Sequence, residues 1–140
     1  MLKELEKIIK SIPAGSGIEI PPKIFVDMEA EIIDYEHKKS LTVQMPIKEK
    51  YQNPLGFMQG GMIAAAIDNT VGPLSFLVAP PSVTTTMNVT YVRPVPMTDE
   101  FIFVKATIVD QTKKMIYMKA EVFNKENKIK ATATTSFMVV

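Results

Sequence analysis

The segment from Gly60 to Val78 is apolar almost throughout, and nearly everything after Pro81 has strand character. Few folds are open to such a chain. Strands that return on themselves bury one face of a sheet, and that face needs a cover. The Gly60–Val78 stretch is the only long apolar element available. The pattern predicts an α+β domain, an antiparallel sheet curved around one long central helix.

Glu29 to Glu36 and Leu41 to Met45 read as a hairpin turned at His37 to Lys39. Val83 to Val92, Phe101 to Val109, Met115 to Phe123 and Ile129 to Val140 read as four further strands, with turns at Asp110 to Lys114 and Asn124 to Asn127. Asn53-Pro54 and Gly56 make Tyr51 to Gly56 a loop. The central helix is expected to bend near Pro73. Leu2, Leu5, Ile8, Ile9 and Ile12 recur at helical spacing, which predicts an extra amphipathic helix over residues 1–13. Ala14 to Gly17 and Pro21-Pro22 follow as loop. At 140 residues the chain is one domain, 1–140, large enough for its own core.

Cysteine is absent, which excludes disulfides, thiolate metal sites and a cysteine nucleophile. No metal site is expected. With 16 basic and 15 acidic residues and no interleaving of aromatic and basic side chains, composition points away from a nucleic-acid partner. The amino end has acidic residues and no apolar stretch of the signal-peptide kind. Gly61 to Ala79 is apolar enough to suggest a membrane span, but Asp68, Asn69, Gly72 and Pro73 interrupt it and the flanking charges give no orientation. The expectation is a cytoplasmic protein without a membrane partner. His37, the only histidine, lies among charged residues and reads as an exposed turn residue with no chemical role.

Asp68 is the one carboxylate in the apolar helix. The segment reads as buried on most sides, and a buried charge is costly unless paired or used. An apolar wall around a carboxylate also strengthens it as a base. Gly60 and Gly61 open the same helix, where the first backbone amides are unpaired and lie at the positive end of the dipole. Gly60 lets a ligand approach its N–H closely. Free amides suit a developing oxyanion, and a carboxylate suits the activation of water or direct attack on a carbonyl. The plainer alternatives are glycines that only permit tight packing, and an Asp68 bonded to a nearby hydroxyl such as Thr70.

The element order and the residues from Asn53 to Pro94 resemble the hotdog-fold acyl-CoA thioesterases of the PaaI-like (4-hydroxybenzoyl-CoA thioesterase-like) superfamily. The resemblance covers the chain from about Ile33 onward. The family pattern is a loop Asn, a His-Gly-Gly triplet opening the helix, an acid along it, and a strand ending in aromatic-x-Arg-Pro. Here these stand as Asn53, Gln59-Gly60-Gly61, Asp68 and Tyr91-Val92-Arg93-Pro94. Gln59 departs from the family histidine: an amide donates a hydrogen bond but carries no proton or charge near neutral pH.

The resemblance implies hydrolysis of an acyl-CoA thioester to free acid and coenzyme A, with no cofactor beyond the coenzyme A of the substrate. It implies catalytic parts for Asp68, Gly60, Asn53 and Gln59, with a hydroxyl near the acid. Alignment on Met87-Asn88 selects Thr84 for that hydroxyl, whereas strand alternation puts Thr85 on the face of Met87 and Val89. Gly61, Phe57, Met62, Thr85 and Arg93 are the substrate-binding candidates, Arg93 for a phosphate of coenzyme A and the methionines for a flexible acyl chain. Gly60 and Asp68 lie about 12 Å apart along the helix axis, so one carbonyl cannot touch both. Two helices packed antiparallel across a two-fold axis join the ends, giving two sites per homodimer and an inactive monomer. The resemblance implies the same dimer with a continuous sheet, able to pair again into a tetramer. The alternative is a non-catalytic hotdog module that holds an acyl-CoA or fatty acyl ligand. A dehydratase would need His37.

Overall fold

The computed structural model describes residues 7, 10–12 and 14–140. Six strands form one antiparallel sheet: β1 (Glu31–Glu36), β2 (Ser40–Pro46), β3 (Ser82–Tyr91), β4 (Phe101–Gln111), β5 (Met115–Phe123) and β6 (Ile129–Val139), in the order β1-β2-β4-β5-β6-β3. One short helix, α1 (Lys23–Asp27), precedes the sheet, and a 19-residue helix, α2 (Gly60–Val78), joins β2 to β3. This is the hotdog architecture expected from the sequence.

The core lies between α2 and the inner face of the sheet. Ile63, Ala66, Ile67, Thr70, Val71 and Leu74 are buried, at the spacing of a single helical stripe. Opposite them, the strands alternate: Ile102, Val104 and Ala106 of β4 and Ile116, Met118, Ala120 and Val122 of β5 point inward. Fully burying each large aliphatic side chain contributes about 1.5–3 kcal/mol, so this stripe is what fixes α2 in place. The helix is long and apolar enough to cross a membrane, but here it is the core helix of the sheet.

Several boundaries differ from the sequence reading. β1 begins at Glu31 rather than Glu29, because Glu29 takes a positive φ of 51° and ends the preceding turn. β4 runs on to Gln111, taking the first two residues of the expected turn at Asp110 to Lys114 into its ladder with β5. α2 runs on through Pro73 without interruption. The stretch after Pro21-Pro22, to which the sequence reading gave no element, forms α1. Lys48 holds it there by donating to the Asp27 carbonyl and pairing with Glu29 at 3.1 Å. The Glu29 carboxylate beside Lys48 raises that ammonium above the ordinary lysine value. Of the expected amino-terminal helix, Lys7 and Lys10 are helical, Ser11 and Ile12 form a turn and a bend rather than helix, and the remaining residues lie outside the described ones.

Candidate active site

Two places on α2 hold the candidate residues, its start and, two turns along, Asp68. At its start, Gln59 occupies the N-cap position without a side-chain capping bond. Its carbonyl accepts the amides of Met62 (2.9 Å) and Ile63 (3.1 Å), and its own amide donates to the Tyr51 carbonyl at 2.7 Å. The amides of Gly60 and Gly61 have no acceptor among the described residues. They are the free donors that a helix start provides. The Gln59 side chain is exposed, and its Oε1 lies 3.7 Å from where a Cβ on Gly61 would stand, so the side-chain amide sits beside those donors.

Tyr91, at the end of β3, covers this helix start. Its Oη donates to the Gly60 carbonyl at 2.7 Å, and its ring lies 3.1 Å from the place a Gly60 Cβ would take. Only glycine fits at position 60 without displacing the ring. The Gly60 carbonyl and the Gly61 N–H share one peptide plane and point opposite ways. Holding the carbonyl therefore aims the Gly61 amide. Sequence reasoning gave Tyr91 no part, although it is the aromatic residue of the pattern that drew attention to Arg93.

Asp68 is exposed in the single chain, which corrects the expectation of an apolar burial. The reason is helical phase. The buried stripe of α2 contains residues 63, 66, 67, 70, 71 and 74, and Asp68 falls on the opposite side with Gly61, Ala64 and Ala65. It does not bond to Thr70, whose hydroxyl donates back to the Ala66 carbonyl. Its Oδ1 accepts from Thr84 Oγ1 at 3.1 Å.

Thr84 reaches Asp68 because β3 is bulged. Thr84 pairs with Phe137 and Thr86 with Ser136, so Thr85 is an extra residue. The insertion reverses the alternation and brings Thr84 onto the face of Met87. Simple alternation had put Thr85 there. The Thr85 hydroxyl instead meets Ser136, at 2.8 Å from its Oγ and 3.1 Å from its carbonyl.

The remaining candidates are placed as follows. Asn53 uses its Oδ1 to accept the amides of Leu55 (2.9 Å) and Phe57 (3.1 Å), which shapes the loop and leaves its Nδ2 as the group it offers. Phe57 is half-buried and bridges to Pro96. Met62 and Met87 are half-buried against the core. Arg93 is exposed and donates from Nη1 to the Ile129 carbonyl at 2.7 Å, leaving other guanidinium N–H groups unused. His37 is exposed in the β1–β2 turn with its Nδ1 2.6 Å from Tyr35 Oη. No group of residues able to hold a metal occurs among the described residues.

A groove of about 460 Å³ opens beside Asp68. One wall is the face of α2 formed by Asp68, Asn69, Gly72, Pro73, Phe76 and Leu77. The other wall is the segment from Ile18 to Phe25, with Ile32 of β1. Sequence reasoning did not assign any pocket residue to that amino-terminal segment.

A sheet of this order wrapped around a helix with free amides at its start and an acid two turns along defines a hotdog-fold thioesterase scaffold. The profile of the thioesterase superfamily matches residues 55–131, just over half of the chain, and the chain belongs to that family. It is 28% identical to mouse acyl-coenzyme A thioesterase 13 over 126 residues, covering 89% of this chain and 83% of the mouse protein. The structure is similar to that of the Escherichia coli PaaI protein from the phenylacetic acid degradation operon, with a TM-score of 0.81 at 13% identity over 99% of this chain and 92% of that one. It is also similar to smu.793 of Streptococcus mutans UA159 bound to acetyl CoA, with a TM-score of 0.75 at 18% identity over 91% and 97% of the two chains. The two structural likenesses concern the fold. Family membership and the mouse relative support thioester hydrolysis as the general activity.

Proposed function

We propose that this protein hydrolyses an acyl-CoA thioester, acyl-CoA and water giving the free acid and coenzyme A, in sites assembled from two copies of the chain. The observation that carries this reading is the Asp68–Thr84 pair, 3.1 Å apart, beside the open edge of β3, while the unpaired Gly60 and Gly61 amides lie two turns away at the start of the same helix. About 12 Å of helix separates them, so a second copy has to bring its amide end to this acid.

In the proposed reaction, Asp68 of one copy accepts a proton from water as the water oxygen attacks the thioester carbon. Thr84 holds the carboxylate oxygen that does not take the proton. The carbonyl oxygen becomes an oxyanion and is met by the Gly60 and Gly61 amides of the other copy, where fixed donors in a water-poor site are most effective. Gln59 and the Nδ2 of Asn53 add donors at the same place. Collapse of the tetrahedral intermediate breaks the carbon–sulfur bond, and the thiolate of coenzyme A leaves with the proton that Asp68 had taken, which restores the carboxylate. Arg93 is a candidate partner for a phosphate of the leaving group. Acetyl CoA in the Streptococcus mutans relative is consistent with a fold that accommodates such a ligand. The reaction draws on no group beyond water and the coenzyme A of the substrate, and the cytoplasm is the compartment we assign to it.

The test is thiol release from a panel of acyl-CoAs by the wild type and Asp68→Asn. Loss of the acid is expected to lower kcat at least about a hundredfold. Equal rates in the two proteins would end the assignment. Gln59, standing where the family pattern has histidine, is the one residue that favours the second reading, a module that binds acyl-CoA without turnover. Tight binding with no thiol release at any chain length would establish that reading instead.

A further inference from the structure

Lys130, the second residue of β6, is a buried cation, 6% exposed. Its ammonium lies 2.9 Å from the carboxylate of Asp99, whose side chain is also mostly buried. That Asp99 oxygen has no other partner among the described residues, and the second oxygen accepts from Asn124 Nδ2 at 3.3 Å. Asn124 is buried as well, and its Oδ1 accepts the amides of Glu126 and Lys128, which fixes it in the β5–β6 turn. Desolvating two charges costs about as much as their attraction returns, and apolar side chains of like volume often serve stability as well. Stability alone therefore does not account for the pair. What it holds is informative.

It holds the connection that leaves β3. The Lys130 carbonyl accepts the amides of Val92 (2.8 Å) and Arg93 (3.1 Å), and its ammonium donates to the Pro94 carbonyl at 3.2 Å. One residue thus fixes three in a row. Their neighbours on both sides grip the start of α2. On one side, Tyr91 donates to the Gly60 carbonyl at 2.7 Å. On the other, the Val95 carbonyl accepts the Met58 amide at 2.9 Å, and Pro96 bridges to Phe57. Met58 and Val95 are both buried, so this second grip is packed as well as bonded. Tyr91 and Val95 are two jaws of a clamp on the helix start, and Lys130 is its pivot.

Resting on the hydrolase reading above, we infer that Lys130 is a positioning residue for the oxyanion donors. It acts through other residues. Its ammonium, kept in place by Asp99 and Asn124, locks residues 92–94, and through Tyr91 and Val95 that segment sets the direction of the Gly60 and Gly61 amides. Such donors work by being fixed in advance, and a displacement of about 1 Å can cost on the order of a hundredfold in rate. A buried pair is satisfied in one arrangement and costly when broken, which suits a part whose task is to stay in place.

Thiol release from the acyl-CoA panel and melting temperature are to be measured for the wild type, Lys130→Met, and Lys130→Met combined with Asp99→Asn. The single variant leaves a buried carboxylate uncompensated and is expected to melt lower. The double variant removes both charges, keeps an acceptor for Asn124, and is expected to regain most of that loss. Its kcat should still lie at least about tenfold below the wild type with KM within about twofold, since the Pro94 carbonyl lacks its donor. Recovery of kcat together with the melting temperature would make the pair merely structural and overturn the inference. A rise in KM at unchanged kcat would also overturn it, by assigning Lys130 to binding. If the wild type releases no thiol from any acyl-CoA, the hydrolase reading fails on its own, and the clamp is read by amide hydrogen exchange. Faster exchange at Met58 in the double variant, with the β5 amides unchanged, then sustains the inference, and equal exchange at Met58 overturns it.

Discussion

The two edges of the sheet are built in opposite ways. β1 is six residues long, three of them acidic (Glu31, Asp34 and Glu36), and its register slips between Ile32 and Asp34. β3 is ten residues long and carries no charged residue. Exposed edges are ordinarily blunted by brevity, charge and bulges, since bare N–H and C=O groups recruit other strands. β1 uses all three devices. β3 keeps only a bulge, and that bulge turns Thr84 toward Asp68. The contrast teaches that β3 is the edge left available for pairing, and that the proposed acid is on the helix face beside it.

The largest expected effect comes from giving β3 the defence that β1 has. Asn88→Lys with Thr90→Lys places like charges where two copies of the strand would meet. Analytical ultracentrifugation should show a monomer, and thiol release should fall at least about a hundredfold, as if the acid itself were lost. Glu31→Lys on the other edge should alter neither. A dimer that survives the β3 lysines would show that copies meet elsewhere.

Thr84→Val tests whether the bulge serves the acid. It removes a hydrogen bond to a charged group, worth about 1.5–3 kcal/mol, so kcat should drop about tenfold or more with KM little changed. Thr85→Val, one residue away but bonded to Ser136, should act through stability instead. Equal kcat losses from both would remove the distinction. Tyr91→Phe keeps the ring over Gly60 and loses one neutral hydrogen bond, about 0.5–1.5 kcal/mol, so kcat should fall about three- to tenfold.

The smallest effect belongs to Tyr51, in the connection between β2 and α2. Its hydroxyl is buried with no hydrogen-bond partner among the described residues, and burial pushes the phenol above its usual value. The folded state thus holds this proton more tightly than the unfolded chain. The associated stability is complete below the ordinary tyrosine range and is lost as pH rises through the folded value. Tyr51→Phe should flatten the alkaline limb of a melting-temperature profile while changing neutral-pH stability by less than about 1 kcal/mol.

The sheet and the extent of α2 were legible because their signals are local. The glycine pair at 60–61 and Pro80-Pro81 bracket the helix, and each strand ends in turn residues. The exposure of Asp68 was not legible. Both faces of α2 are apolar, so the buried stripe does not stand out from the small residues of the other face until the helix is seen against the sheet. The bulge at Thr85 was hidden for a different reason: it is a backbone event with no required residue type. The outer wall of the groove depends on Lys48 meeting Asp27 and Glu29 across the chain, which no window of sequence displays.

Subunit complementation tests the central claim most directly. Asp68→Asn removes the acid, and Gly60→Val covers the amide end by occupying the place of the Tyr91 ring. Each variant alone should be inactive. Refolded together at equal amounts, half of the dimers are mixed, and each mixed dimer has one site with both an intact acid and an intact amide end. About a quarter of wild-type thiol release should return. No recovery from mixtures shown to contain mixed dimers would contradict a site shared between two copies.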